Sequence, residues 1–201
     1  MAPARPVNRL RKVLRSLNCD GAYGSALAVA VALLLALTAT GEPGRMLLRY
    51  DRAALSRGED WRLLTAHLVH LDLRHALLNC LGLVLLWALF ARDYRPLRWA
   101  AIVLGAMAAI DAGLWWWNST LLWYVGSSGT LHGIMAGGTL AHLRRGERDG
   151  WILAALLLAK LAFEQAVGPL PLAGRDPVVV DAHLYGVLGG LAAGAFLRPA
   201  A

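Results

Sequence analysis

The pattern of hydrophobic and polar positions divides the chain into long apolar runs joined by shorter polar stretches. Several runs approach the roughly 20 residues that an α-helix needs to cross about 30 Å of hydrocarbon. Only helices satisfy every backbone polar group within such a segment, so the pattern predicts a helical bundle in a membrane. The six predicted membrane helices cover residues 22–40, 73–90, 97–117, 129–143, 151–167 and 178–197.

The composition is that of a membrane protein rather than an ordinary soluble domain. Of the 201 residues, 58% are hydrophobic and 16% are charged, whereas charged residues make up about a quarter of a soluble domain. Residues 1–20 are polar and basic, and the apolar run that follows is longer than the roughly 7–15 residues of a signal-peptide core. We therefore predict an all-α polytopic membrane protein, with a basic cytoplasmic segment over residues 1–20 and a six-helix domain over residues 21–201.

The positive charges predict the orientation of the chain. The net charge is +7, but the arginines lie between apolar runs rather than along one soluble face, so we expect a lipid bilayer and no nucleic acid as partner. By the positive-inside rule the N-terminus is cytoplasmic and the fourth predicted helix starts on the extracytoplasmic side. The connection over residues 41–70 is an exception, with five arginines. The pattern rests on Arg92, Arg95 and Arg98 after the second predicted helix, and on Arg144, Arg145 and Arg148 after the fourth.

A serine between glycines marks the start of the fourth predicted helix. The chain reads Gly126-Ser127-Ser128-Gly129 where a polar stretch turns into an apolar run. Free backbone N–H groups and the positive end of the helix dipole favour developing negative charge at such a position. Ser128 is therefore the candidate nucleophile, and its own N–H is a candidate donor to an oxyanion.

The second predicted helix offers two further donors. His75 and Asn79 are spaced i,i+4 and so lie on one helix face. Both side chains can donate hydrogen bonds, and donors aimed at a carbonyl oxygen that becomes negative are the parts of an oxyanion hole.

Glycines recur every four residues in the fourth and sixth predicted helices. Small residues at this spacing let membrane helices approach closely, which would bring Ser128 within hydrogen-bond reach of His183 as its general base. Taken singly, each stripe is more typical of helix packing, and a single buried histidine is as typical of an interhelical hydrogen bond. His132, one turn beyond Ser128, is the competing base, although a bond that supports its own helix is the simpler interpretation. The stripes are Gly129, Gly133 and Gly137, and Gly186, Gly190 and Gly194.

Motif residues are spread over residues 60–194, nearly all of the predicted six-helix unit. They are Trp61, Arg62, Thr65, His70, His75, Asn79, Gly126, Ser127, Ser128, Gly129, Ala182, His183, Gly186 and Gly190. In this combination the sequence resembles the rhomboid family of intramembrane serine proteases. The resemblance implies Ser128 as nucleophile, His183 as general base in a dyad, and His75 and Asn79 as oxyanion donors, with His70, His132, Gly126 and Gly129 as supporting residues.

The compact size and the pattern Ser128-Gly129-Thr-Leu-His132-Gly133 look more specifically like the rhombosortase branch. That resemblance implies removal of a C-terminal Gly-Gly-type tail from membrane-anchored exported proteins. It also implies a multi-pass protein of the bacterial inner membrane, with an active site that opens to the extracytoplasmic side. No cofactor and no metal are expected.

Other polar residues carry open interpretations. His67, together with His70, is expected to brace the first loop. The i,i+4 spacing of Lys160 and Glu164 predicts a structural ion pair. The alternative is that one of the two side chains recognises a polar feature of the substrate. Asp181 is a candidate to orient His183 as a triad acid would, although the family implied here works as a dyad. Asp111 has no assigned role.

Two other functions are consistent with parts of the sequence. A metal-binding membrane transporter would use His67, His70, His75 and His132, since imidazole is a common ligand for zinc and copper. No His-Glu-x-x-His pattern occurs, and Asp72 is the one acidic residue close to these histidines in sequence. An inactive rhomboid-like chaperone would be expected to lack the serine or the histidine, and both are present.

Overall fold

The computed structural model describes residues 17–18, 21–169 and 178–200. Within these ranges the chain forms nine helices and one two-stranded sheet. In chain order they are α1 (Gly24–Ala39), α2 (Gly41–Leu48), β1 (Tyr50–Asp51), α3 (Arg52–Leu55), α4 (Arg62–Thr65), α5 (Leu73–Phe90), α6 (Pro96–Trp116), β2 (Trp123–Tyr124), α7 (Ser128–Arg144), α8 (Arg148–Val167) and α9 (Val180–Ala195).

The six predicted apolar runs appear as α1 and α5 to α9, which confirms an all-α polytopic membrane fold. By length and composition, α5, α6 and α8 are each able to cross a membrane. The α1 and α2 helices meet that criterion only as a pair, bent by 108°. The helices that carry Ser128 and His183 are shorter, with 17 residues in α7 and 16 in α9. The described residues therefore give three such spans, or four with the bent pair, rather than six.

The predicted N-terminal segment, residues 1–20, lies outside the described residues except for Leu17 and Asn18. Its cytoplasmic placement and the division of the chain at residue 20 stay predictions.

The connection between α1 and α5 is folded against the rest of the bundle. Its β1 strand pairs antiparallel with β2, which places Tyr50 opposite Tyr124. The buried Arg62 guanidinium donates to the carbonyls of Met46 and Arg49, at 2.9 and 3.0 Å, and to the Glu59 carboxylate. Hydrogen bonding from Arg62 lowers the pKa of Glu59 below its usual value. This connection therefore holds the segment that leads into α7.

Arg52 caps the carboxyl end of α6. Its guanidinium donates to the carbonyl oxygens of Leu114, Trp115 and Asn118 at 2.6, 3.1 and 3.2 Å. The last carbonyls of a helix lack intrahelical partners and carry partial negative charge, so a cation at this position satisfies both needs. Arg52 also stacks over the Trp115 ring at 4.8 Å.

The α9 helix packs between α6 and α7 with its backbone against theirs. A Cβ atom added at Gly186 would overlap the Gly129 carbonyl, and one added at Gly190 would overlap the Gly133 carbonyl. The predicted facing of the two glycine stripes is therefore observed. The absence of side chains here allows the two helix axes to approach this closely.

Adding one methyl group to this contact should destabilise the protein. Gly190→Ala would push the Gly133 carbonyl away, and overpacking of this kind costs about 1–3 kcal/mol. We expect a lower melting temperature for the detergent-solubilised variant. Gly24→Ala in α1 is the matched control, because the nearest atom to its added Cβ would be Trp87 Cζ2 at 4.0 Å. Equal melting temperatures for the two variants would contradict the backbone contact.

Candidate functional site

The segment before α7 places Ser128 at the first position of the helix. Gly126 has φ +121°, a conformation that glycine adopts without the clash of a Cβ atom. Its N–H donates to the Ala66 carbonyl at 2.9 Å, and its carbonyl accepts from the Tyr124 hydroxyl at 2.8 Å. The turn that presents Ser128 is therefore held from both sides.

The structure brings Ser128 and His183 together. Ser128 Oγ lies 3.0 Å from His183 Nε2, which is hydrogen-bond distance. His183 is in the first turn of α9 and is 4% exposed. A hydroxyl that bonds to an imidazole nitrogen in this way can transfer its proton to that nitrogen when it attacks a carbonyl.

His132 lies beside His183 but has a different partner. The two rings are stacked, with centroids 4.1 Å apart and planes 15° apart. His132 Nδ1 is 2.7 Å from the Ser128 carbonyl oxygen, so Nδ1 carries a hydrogen and donates to the backbone of its own helix. The bond that supports α7, suggested by sequence as the simpler interpretation, is thus present. The hydroxyl of Ser128 faces His183.

A partly open cavity of about 300 Å³ adjoins Ser128. His75 lines it together with Leu71, Trp123, Val125 and Val179. A Cβ atom at Gly126 would lie 3.0 Å from His75 Cε1, so this glycine also makes room for the imidazole. Among the predicted oxyanion donors, His75 therefore lines the same cavity as Ser128.

Asn79 lies one turn further along α5 and is 5% exposed. Its side-chain Nδ2 donates to the His75 carbonyl at 2.9 Å. It is not among the described residues that line the cavity. An amide nitrogen carries two hydrogens, so the bond to His75 uses one of two donors.

The two other predicted supporting positions have clear packing environments. His70 Nε2 lies 3.1 Å from Ser127 Oγ, and its Nδ1 lies 3.3 Å from Thr38 Oγ1. A Cβ atom at Gly129 would lie 2.6 Å from the Ala182 carbonyl oxygen. His70 thus links α1 to the residue before the serine, and Gly129 allows α9 to pack next to it.

The side chains of Asp111 and His67 are hydrogen-bond partners. His67 Nε2 lies 3.3 Å from Asp111 Oδ1, and its Nδ1 lies 3.5 Å from Thr130 Oγ1 on α7. The ring also meets Tyr124 edge-on. The pair therefore connects the segment before α5 with α6 and α7.

Sequence reasoning missed the contact between Glu164 and His183. The predicted pair is present, with Lys160 Nζ 2.6 Å from Glu164 Oε1, but the other carboxylate oxygen lies 2.9 Å from His183 Nδ1. Asp181, the residue proposed from sequence to orient His183, instead accepts from Asn118 Nδ2 at 2.6 Å. The available signal was an acidic residue in an apolar helix, but sequence spacing does not indicate contacts between helices.

The described residues include two groups of three side chains whose potential metal-ligating atoms lie within 4.8 Å of one another. The groups are His132, Glu164 and His183, and His142, Glu147 and Asp149. Of the four histidines of the metal-transporter hypothesis, His132 belongs to the first group, and His67, His70 and His75 belong to neither. That hypothesis is not favoured, since His67 and His70 have hydrogen-bond partners within the bundle.

Comparison with known proteins identifies the domain that contains this site. The family model described as Rhomboid domain matches residues 57–200. A comparison with curated proteins gave no match.

The two stacked histidines should differ in their effect on the reactivity of Ser128. His183→Ala removes the imidazole that bonds to the Ser128 hydroxyl, so labelling of Ser128 by a fluorophosphonate should fall by about 10²–10⁴-fold if that imidazole takes up the hydroxyl proton. His132→Phe keeps a flat ring against His183 and should retain most of the labelling. The second-order labelling rate of purified protein measures both effects. A larger loss in His132→Phe than in His183→Ala would assign the base to His132.

Proposed function

Because the chain belongs to the rhomboid family, whose members are serine intramembrane proteases, we propose that Ser128 and His183 form its catalytic dyad. The observation that carries the proposal is the 3.0 Å distance between Ser128 Oγ and His183 Nε2. The reaction is hydrolysis of a peptide bond in a membrane-anchored protein substrate, by an endopeptidase that needs no cofactor.

The reaction proceeds in two stages. Ser128 Oγ attacks the scissile carbonyl carbon while His183 Nε2 takes the hydroxyl proton. The same nitrogen then returns the proton to the leaving amine, and an acyl-enzyme ester remains on Ser128. Water that enters through the adjoining cavity attacks the ester, with His183 again as base, and releases the acyl fragment.

The oxyanion is stabilised by groups at the start of α7 and on α5. The N–H of Ser128 is one of the first four in its helix, which have no intrahelical partner. His75, at the wall of the cavity, contributes a side-chain donor. Asn79 contributes its second amide hydrogen. Removal of one such donor typically costs about 10²–10³-fold in kcat.

The substrate proposed here is an exported bacterial protein with a C-terminal membrane tail of the Gly-Gly type. The support is the resemblance of Ser128-Gly129-Thr-Leu-His132-Gly133 to the rhombosortase pattern. A peptide bond must leave its helix before it reaches Ser128, and glycine weakens a helix by about 1 kcal/mol per residue relative to alanine.

The proposed setting is the bacterial inner membrane, with the N-terminus in the cytoplasm and the site open to the extracytoplasmic side. Trp116 and Trp117 at the end of α6 are largely exposed, and Trp123, which precedes Ser128 in the chain, lines the cavity. Tryptophan is enriched at membrane interfaces, which supports placing this end of the bundle near the headgroups.

Co-expression with an exported protein that carries a Gly-Gly tail tests the proposal. We expect mass spectrometry to find a shortened C-terminus with the wild-type enzyme and the full tail with Ser128→Ala. Ser127→Ala is the matched control, because it removes the neighbouring hydroxyl, which bonds to His70, and leaves Ser128 in place. It should retain cleavage.

Two further outcomes test the role of Ser128 and the proposed substrate class separately. Cleavage of a model membrane substrate by purified Ser128→Ala would exclude this serine as the nucleophile. Serine-dependent cleavage of that model substrate, together with an intact Gly-Gly tail in the co-expressed protein, would exclude the substrate class alone.

A further inference from the structure

We propose that Glu164 is a positioning residue for His183, so that Ser128 and His183 act together with a third group, a buried carboxylate. The inference rests on the proposed function of Ser128 and His183. Glu164 is on α8, and its Oε2 lies 2.9 Å from His183 Nδ1. The residue is 3% exposed, so water does not compete strongly for this contact.

The carboxylate selects the tautomer of His183 that the reaction needs. An ionised carboxylate only accepts hydrogen bonds, so His183 Nδ1 must carry a hydrogen at 2.9 Å from Glu164 Oε2. Neutral imidazole has one N–H, which leaves the lone pair on Nε2 facing the Ser128 hydroxyl. In the other tautomer, the lone pair of Nδ1 would face a lone pair of the Glu164 carboxylate. Nε2 would then carry the hydrogen and would be unable to accept the proton of the Ser128 hydroxyl.

Lys160 keeps Glu164 ionised. Its ammonium lies 2.6 Å from Oε1, the carboxylate oxygen that does not face His183. A buried carboxylate without a cation tends to take up a proton, because removing the charge from water is costly. The Lys160 side chain is 29% exposed, which allows its charge to remain partly hydrated. The ion pair with Lys160 thus keeps the Glu164 carboxylate available as the acceptor for the His183 Nδ1–H group.

The ring of His183 is held on three sides. Glu164 binds Nδ1, Ser128 binds Nε2, and the His132 ring stacks on the face. When Ser128 attacks, its proton moves from Oγ to Nε2 and the hydrogen on Nδ1 stays in place. The resulting imidazolium is then stabilised by the Glu164 carboxylate, which does not itself become protonated.

A glutamine at position 164 should hold the wrong tautomer. Lys160 has only donors, so it selects the amide oxygen of Glu164→Gln and turns the amide NH₂ toward His183 Nδ1. Nδ1 then becomes the acceptor and Nε2 carries the hydrogen. We expect kcat for a model membrane substrate to fall by about 10²–10⁴-fold with KM nearly unchanged. Glu147→Gln, the same exchange at an ion pair with Arg145 away from the site, should leave kcat unchanged.

The double variant Lys160→Met/Glu164→Gln separates positioning from stability. Without Lys160, the glutamine amide is able to rotate and present its oxygen to His183 Nδ1. The double variant should therefore be more active than Glu164→Gln alone, although it has lost both charges. A merely structural ion pair predicts no such recovery. Melting temperatures of all variants in the same detergent show how much of each loss comes from unfolding.

Further comparisons decide the inference. In a His183→Ala background, Glu164→Gln should cause no additional loss in the labelling rate of Ser128. The positioning role would be overturned if Glu164→Gln lowered the labelling rate equally in the wild-type and His183→Ala proteins. It would also be overturned if the loss in kcat equalled the fraction of the variant that is unfolded.

If Glu164→Gln does not fold, Glu164→Asp serves instead. We expect this variant to have a reduced kcat at an unchanged melting temperature, and an unchanged kcat would overturn the role. Activity that depends on Ser128 and His183 but not on Glu164 would leave the proposed function intact, whereas activity retained by Ser128→Ala would overturn that function itself.

Discussion

The contact between the backbones of α7 and α9 is the constraint on which the rest of the site depends. A serine side chain is short, so a 3.0 Å bond between Ser128 Oγ and His183 Nε2 requires the two helix axes to lie unusually close. Gly186 meets the Gly129 carbonyl at a point where no Cβ would fit. Glycine is a poor helix former, and its presence here follows from the close approach that it permits.

Charged and polar groups within the bundle are arranged around this contact in partnered chains. Lys160, Glu164 and His183 form one chain, which ends on the Ser128 hydroxyl. His67 pairs with Asp111 on the other side of α7. Ionisable groups are costly in a membrane interior, and each is tolerated because a neighbour from another helix or the next turn satisfies it. The bonds to Glu164 and Ser128 also fix the orientation of the His183 ring.

Local pattern in the sequence was enough to predict the helices and the glycine stripes, and it favoured Ser128 and His183 as a pair with His132 left open as the competing base. These features depend on periodicity and on residue types that have few other uses in a membrane. The pairing of β1 with β2 depends on contacts between distant segments, which sequence spacing does not encode. The 108° bend between α1 and α2 lies at Gly41, whose φ is +66°. The predicted pairing of Glu164 with Lys160 is present, but the contact with His183 was not predicted. A carboxylate has two oxygens, and the second one binds His183.

The short lengths of α7 and α9 bear on the access of water to Ser128. At 1.5 Å per residue, their 17 and 16 residues extend about 25 Å, less than the roughly 30 Å of a hydrocarbon core. Their carboxyl ends are joined where Arg144 donates to the carbonyls of Gly194 and Leu197 at 2.8 and 2.7 Å, and an arginine favours the aqueous boundary. An arginine boundary at these ends places the shortfall at the opposite ends, which carry Ser128 and His183. The cavity adjoins those ends, because Ser128 and Val179 both line it.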